Sequence, residues 1–144
     1  MTHDQGEPKL KTDGASSTGR RALVLGGTGA MGVYLVPELV AMGYEVRVVS
    51  FDDVVSNDPR ISHTKADAKK IESLIDLLKI PYDVIVDFLI YSTPEFKERV
   101  EILLRNTAHY IFLSTYRVYS EGFPVTENTL RLLDFSKDRD FLAT

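Results

Sequence analysis

From residue 21 onward, short unbroken apolar runs alternate with stretches whose apolar positions recur every three or four residues. The first pattern is that of strands buried on both faces; the second is that of helices with one face on a core. ALVLG at 22–26 ends in glycine and predicts a first strand. GAMGVYLVPELVAMG at 29–43 predicts a helix with Leu35, Leu39 and Met42 facing a core and Gly43 as its stop. Pro37 falls inside that helix, where it deletes a backbone hydrogen bond and crowds the preceding turn, so a kink or a shorter helix is expected.

EVRVVSF at 45–51 predicts a second strand, and DDVVSNDPR after it carries the turn formers of a loop. ISHTKAD at 61–67 predicts a third strand, after which AKKIESLIDLLKI at 68–80 places Ile71, Leu74, Leu77 and Leu78 on one helical face, closed by Pro81. YDVIVDFLIY at 82–91 is the most apolar stretch and predicts a central strand. TPEFKERVEILLRNT at 93–107 predicts an amphipathic helix with Thr93 as N-cap and Pro94 at the first helical position. HYIFLST at 109–115 predicts a fifth strand. Strands alternating with helices imply an α/β fold with a parallel sheet covered on both faces. Right-handed crossovers reduce the topology to a doubly wound, Rossmann-like order 3-2-1-4-5.

The first twenty residues are polar and rich in Gly, Ser and Thr, and bury too little apolar surface to offset the entropy of ordering them. A disordered tail over 1–20 and one domain over 21–144 are therefore expected. A net charge of −4 without a long basic run offers no footprint for nucleic acid or an anionic membrane, which leaves small molecules as the expected partners. The absence of cysteine excludes disulfides and thiolate nucleophiles and fits a reducing cytoplasm. His3, His63 and His109 are scattered singly, so no metal site is expected. No apolar run spans a bilayer and the leader lacks the apolar centre of a signal peptide, which predicts a soluble, cytoplasmic protein.

Candidate chemistry starts at the glycines. Gly26, Gly29 and Gly32 are spaced G-x-x-G-x-x-G, and Gly27, Gly29 and Gly32 also satisfy G-x-G-x-x-G. The cluster ends a predicted strand and opens a predicted helix, the context that dinucleotide binding requires. An early glycine permits the tight turn, the middle one lets the backbone approach a pyrophosphate, and Gly32 lets helix and strand pack closely. The N–H groups of Gly27, Thr28, Gly29, Ala30 and Met31 are the expected cradle, at a helix N-terminus that favours negative charge.

FLSTYRVYSEGFPVTENT at 112–129 adds a second motif. Together with the glycines it resembles the extended short-chain dehydrogenases/reductases, the family of the NAD-dependent epimerases and dehydratases of nucleotide sugars. The matching residues are Ser114, Thr115, Val118, Tyr119, Pro124 and Glu127, and the resemblance covers residues 21 to 129. It implies that Thr115 takes the place of the catalytic Ser or Thr that hydrogen-bonds the reacting oxygen, with Ser114 as the neighbouring candidate. It also implies that Asp67 contacts adenine.

Three departures from the family stand out. No tyrosine follows Tyr119, so the Tyr-x-x-x-Lys general acid/base has no counterpart, and the domain is expected to be incomplete at its C-terminal end. Phe88 and Leu89 stand where the family often has alanine or glycine, which alters the nicotinamide side. Ser50 occupies the position of the acidic residue that binds the adenosine ribose, and Asp52 lies two residues later. Either Asp52 reaches back and favours NAD, or Ser50 helps accept the 2′-phosphate of NADP. The leading expectation is the NAD(P)-binding portion of an enzyme acting on a nucleotide sugar or related carbonyl compound. A regulatory dinucleotide-binding module is the second. A scaffold kept for protein or RNA contacts is the third, with the acidic balance against RNA. An uncovered outer face on the fourth and fifth strands would also invite homo-oligomers.

Overall fold

Five parallel strands form one sheet in the order β3-β2-β1-β4-β5 in the computed structural model, which describes residues 19–115, 118–119 and 124–131. The elements are β1 (Arg20–Leu25), α1 (Gly32–Ala41), β2 (Tyr44–Ser50), β3 (Ile61–Lys65), α2 (Ile71–Leu77), β4 (Tyr82–Asp87), α3 (Thr93–Arg105) and β5 (Thr107–Phe112). This is the doubly wound topology that the alternating pattern predicts. The expected leader falls outside the described residues except at its end, where Arg20 already belongs to β1. Arg20 pairs with Tyr44, and its guanidinium lies over the Tyr44 ring, 4.5 Å from the centroid.

The continuous apolar runs are explained by two core layers. Ala22 and Val24 of β1, Val46 and Val48 of β2, and Val84 and Val86 of β4 pack on Val36, Leu39 and Val40 of α1. Leu23 and Leu25, Val49 and Ile85 pack on Leu74 and Leu77 of α2 and Leu103 of α3. Central strands thus bury both faces, the condition under which alternation disappears from the sequence.

Element ends differ from expectation for identifiable reasons. Helix α1 is shorter than the pattern, starting at Gly32, and it runs through Pro37, which sits on the exposed side. Gly43 ends it at φ +88°, a left-handed conformation that glycine adopts without cost. Strand β4 stops at Asp87 rather than Tyr91, because the Asp87 carboxylate accepts the Leu89 N–H (3.0 Å) and the Tyr91 hydroxyl (2.9 Å) and folds the chain back. The cap of α3 is Ser92, not Thr93: both the N–H and the hydroxyl of Ser92 donate to Glu95 Oε2, at 2.7 and 2.8 Å. Strand β5 starts two residues early, in register with Tyr82, and ends at Phe112. Among the described residues it forms an edge, with Ile111, Phe112 and Leu113 exposed.

Candidate functional site

The carboxyl edge of the sheet gathers the glycine turn, the end of β2 and the turns after β3, β4 and β5. Gly26 leaves β1 at φ +76°, and its N–H donates to Val49 O at 2.8 Å. A Cβ on Gly32 would lie 2.1 Å from Gly27 O, so α1 can approach the turn this closely only at glycine. A Cβ on Gly29 would meet only Gly26 O, at 3.5 Å, and otherwise enter open space. The N–H groups of Gly27, Thr28, Ala30, Met31 and Gly32 have no acceptor among the described residues, whereas that of Gly29 donates to Gly26 O at 3.3 Å. Helix α1 also has no side-chain cap and no acidic residue in its first turn. Its positive end is left to whatever lies in front of the loop.

Beside this turn, Thr28 Oγ1 donates to Asp52 Oδ2 at 2.5 Å, and Asp52 N–H donates to Ser50 Oγ at 3.2 Å. Asp52 therefore reaches back from beyond β2 to the glycine loop, and the Ser50 hydroxyl is engaged in supporting it. Asp67 follows β3, where its Oδ1 accepts the Lys69 N–H (3.0 Å) and its carbonyl accepts the Lys70 N–H (3.1 Å). That geometry holds the half-buried Asp67 at the start of the turn into α2.

Phe88 and Leu89 diverge after β4. Phe88 packs with the α1 layer and Leu89 with the α2/α3 layer, and both are half-buried. They flank the glycine turn closely: the Cβ position on Gly26 is 3.3 Å from Leu89 Cδ2 and 3.5 Å from Phe88 Cβ. Phe88 also lines an apolar hollow of about 500 Å³ together with Ala30, Met31, Tyr34, Val86 and Ile111. Ser114 and Thr115 follow β5 as exposed residues, separated from the glycine turn by β4. Val118 N–H donates to Thr115 O at 3.3 Å, and Tyr119 bridges Arg131.

One cluster escapes the sequence reading. Asp87 is fully buried, and its Oδ2 accepts the hydroxyls of both Tyr91 and Tyr110 at 2.9 Å. Burial pushes its pKa up, opposed by the three hydrogen bonds and by the charge of Arg99. Arg99, also buried, lies over the Tyr91 ring at 4.9 Å, donates to Lys69 O at 2.8 Å and reaches Glu95 O within its own helix. Both phenols are pushed far above the usual tyrosine range, by burial first and the Asp87 charge second. Neither can serve as a general base near neutral pH. The sequence carried two signals: an aspartate inside the most apolar run, and an arginine on the same helical stripe as Phe96 and Leu103.

The chain matches the NAD dependent epimerase/dehydratase family over residues 22–139. It belongs to that family. Among proteins with curated descriptions, none is significantly similar to it in sequence. Solved structures sharing its fold include the UDP-Glc/GlcNAc 4-epimerase of Campylobacter jejuni (19% identity, TM-score 0.64, covering 77% of this chain and 42% of that one). An epimerase of the methanogen Methanothermobacter thermautotrophicus is 19% identical with a TM-score of 0.61, over 79% of this chain and 41% of that one. The dTDP-glucose 4,6-dehydratase of Bacillus anthracis, solved in complex with NAD, is 20% identical with a TM-score of 0.58, over 78% and 44%. The chain thus spans less than half the length of these structures.

The family's nicotinamide dinucleotide fits the glycine turn: the N–H groups of Gly27, Thr28, Ala30, Met31 and Gly32 have no acceptor among the described residues, Gly29 carries no side chain where a Cβ would enter open space, and the helix N-terminus lacks its own anion. The family's tyrosine–lysine acid/base has no counterpart among the described residues. Among those residues there is also no cluster able to hold a metal ion, and no helix long and apolar enough to cross a membrane.

Proposed function

We propose that this chain binds NAD across the carboxyl edge of its sheet and serves epimerase or dehydratase chemistry on a nucleotide sugar or related carbonyl compound. The observation that carries this reading is the set of N–H groups, those of Gly27, Thr28, Ala30, Met31 and Gly32, that have no acceptor among the described residues around an unobstructed Gly29. Gly27 to Met31 hold the pyrophosphate, Asp52 accepts from the adenosine ribose hydroxyls and Asp67 meets adenine. Phe88 and Leu89 wall the nicotinamide side. NAD is favoured over NADP because a carboxylate held against the loop would repel a 2′-phosphate. Thr115 donates a hydrogen bond to the reacting substrate oxygen, with Ser114 beside it. When bound, the nicotinamide takes up and returns a hydride. The proton acceptor is a group other than Tyr91 and Tyr110, whose hydroxyls are committed as donors to Asp87.

Titration of the chain and of Gly29→Val with NAD tests the reading. The variant keeps the fold because the space at residue 29 is open, so a loss of at least about tenfold in affinity reports obstruction of the phosphate rather than unfolding. Equal affinities would remove the cradle. The chain by itself is expected to bind NAD without turnover. Turnover abolished by Thr115→Val would instead show a complete active site within it. NAD binding without turnover in any longer form of the protein would favour the regulatory module.

A further inference from the structure

Asp87 is placed where a leucine would satisfy the packing. Its neighbour two residues back, Ile85, shares the same face and the same core layer. A buried carboxylate there costs desolvation, and the surroundings supply three donors to offset it. Oδ1 takes the Leu89 N–H, and Oδ2 takes the hydroxyls of Tyr91 and Tyr110. Every partner donates, so the position calls for a group that only accepts. An asparagine would turn an NH₂ toward one of these donors.

The donors come from the two flanks of the candidate cofactor site. Leu89 and Tyr91 belong to the turn after β4, and Tyr110 belongs to β5, four and five residues before Ser114 and Thr115, with Asp87 O also accepting the Leu113 N–H at 3.0 Å. Leu89, with Phe88, flanks the glycine turn at Gly26. On its far side Tyr91 carries the Arg99 guanidinium, which holds Lys69 O in the turn that contains Asp67. A continuous polar strut, Lys69–Arg99–Tyr91–Asp87–Tyr110, therefore runs beneath the carboxyl edge from the adenine side to the end of β5.

We propose that Asp87 is a positioning residue of the NAD site: through Leu89, Tyr91 and Tyr110 it holds the wall after β4 against the glycine turn and in register with the end of β5. This rests on the cofactor reading above and deepens it. The carboxylate touches neither cofactor nor substrate and acts through the residues it anchors.

The experiment measures NAD affinity and thermal midpoint for the full chain and for Asp87→Asn, Tyr91→Phe and Tyr110→Phe. The two phenylalanine variants keep the ring packing among Tyr91, Phe96, Tyr110 and Phe112, so they stay informative if Asp87→Asn folds poorly. Asp87→Asn is expected to weaken NAD by about tenfold and each phenylalanine variant by about threefold, the order of losing charge-assisted hydrogen bonds. A purely structural role would not give the pH signature. Affinity of the wild type should fall as acid protonates Asp87, and that part of the profile should be missing from Asp87→Asn. The charged and titratable groups around Asp87, namely Tyr91, Tyr110, Arg99, Lys69 and Glu95, remain in both proteins. Wild-type binding that all three variants reproduce at every pH overturns this proposal alone. A wild type that does not bind NAD overturns the cofactor reading and this proposal with it.

Discussion

The two turns that flank the candidate cofactor site at the centre of the sheet are built in opposite ways. The turn after β1 is shaped by side chains it lacks: a left-handed Gly26, a Gly32 pressed against Gly27 O, and a Gly29 facing open space. The turn after β4 is shaped by a side chain it buries, with one carboxylate drawing in a backbone N–H and two phenols. The first is held by exclusion at Gly26 and Gly32, where a side chain meets strain or a backbone carbonyl, while Gly29 leaves room in front of it. The second is held by directed bonds whose strength depends on charge, and hence on pH. One edge therefore combines a site that sterics protect from substitution with a neighbour that electrostatics can adjust.

The largest effect expected from breaking this contrast is in the glycine turn. Gly32→Ala would put a methyl 2.1 Å from a backbone carbonyl that no side-chain rotation can relieve. A loss of ~3 kcal/mol is expected, the upper range for overpacking. Gly29→Ala should stay within about 0.5 kcal/mol of the wild type, as surface changes usually do. Chemical denaturation of the three proteins checks both. Similar losses for the two variants would mean that exclusion does not organise the turn.

The turn after β4 should respond to pH instead. Burial raises the Asp87 pKa, so the folded chain binds this proton more readily than the unfolded chain. The resulting stabilisation is fully present below the unfolded carboxyl pKa and is lost as pH rises through the folded value. Asp87→Asn carries no charge at any pH and loses nothing over that interval. Its stability relative to the wild type should therefore improve from about pH 4 to about pH 7, whatever the absolute difference at either end. Denaturation midpoints at the two pH values measure it. A difference that stays constant would show Asp87 to be paired well enough to cancel its desolvation.

The same contrast explains what could be read from the sequence. Glycine spacing and apolar period express sterics and burial, which are local and carried by residue type. The order of the strands, the role of Gly32 and the stop at Gly43 followed from them. Asp87 and Arg99 were visible only as residues that break a pattern. Their partners Tyr91, Tyr110 and Lys69 come from three other segments, which only the folded sheet brings together. Element ends shifted for a related reason. The cap of α3 moved from Thr93 to Ser92 because Glu95 is spaced to serve residue 92, a competition between two adjacent hydroxyl residues that composition does not decide. Asp52 lay between these cases. The sequence left it in competition with Ser50, and the hydrogen bond from Thr28 brings it to the loop.

That bond leads to the smallest expected effect. Asp52 is exposed, so its influence on a bound cofactor is screened by water and salt. Its carboxylate nevertheless lies against the glycine turn, where it can accept from ribose hydroxyls and would repel a 2′-phosphate. Asp52→Asn keeps an oxygen that Thr28 can still donate to and removes only the charge. NADP affinity relative to NAD should therefore rise about threefold, the order of a screened surface interaction, with thermal stability unchanged. The shift should shrink in high salt, because it is purely electrostatic. Parallel NAD and NADP titrations at two ionic strengths separate the possibilities. An unchanged ratio would return the choice of cofactor to Ser50. A shift indifferent to salt would mean that Asp52 orders the loop through hydrogen bonds, which would make the β1 turn depend on a directed contact just as the β4 turn does.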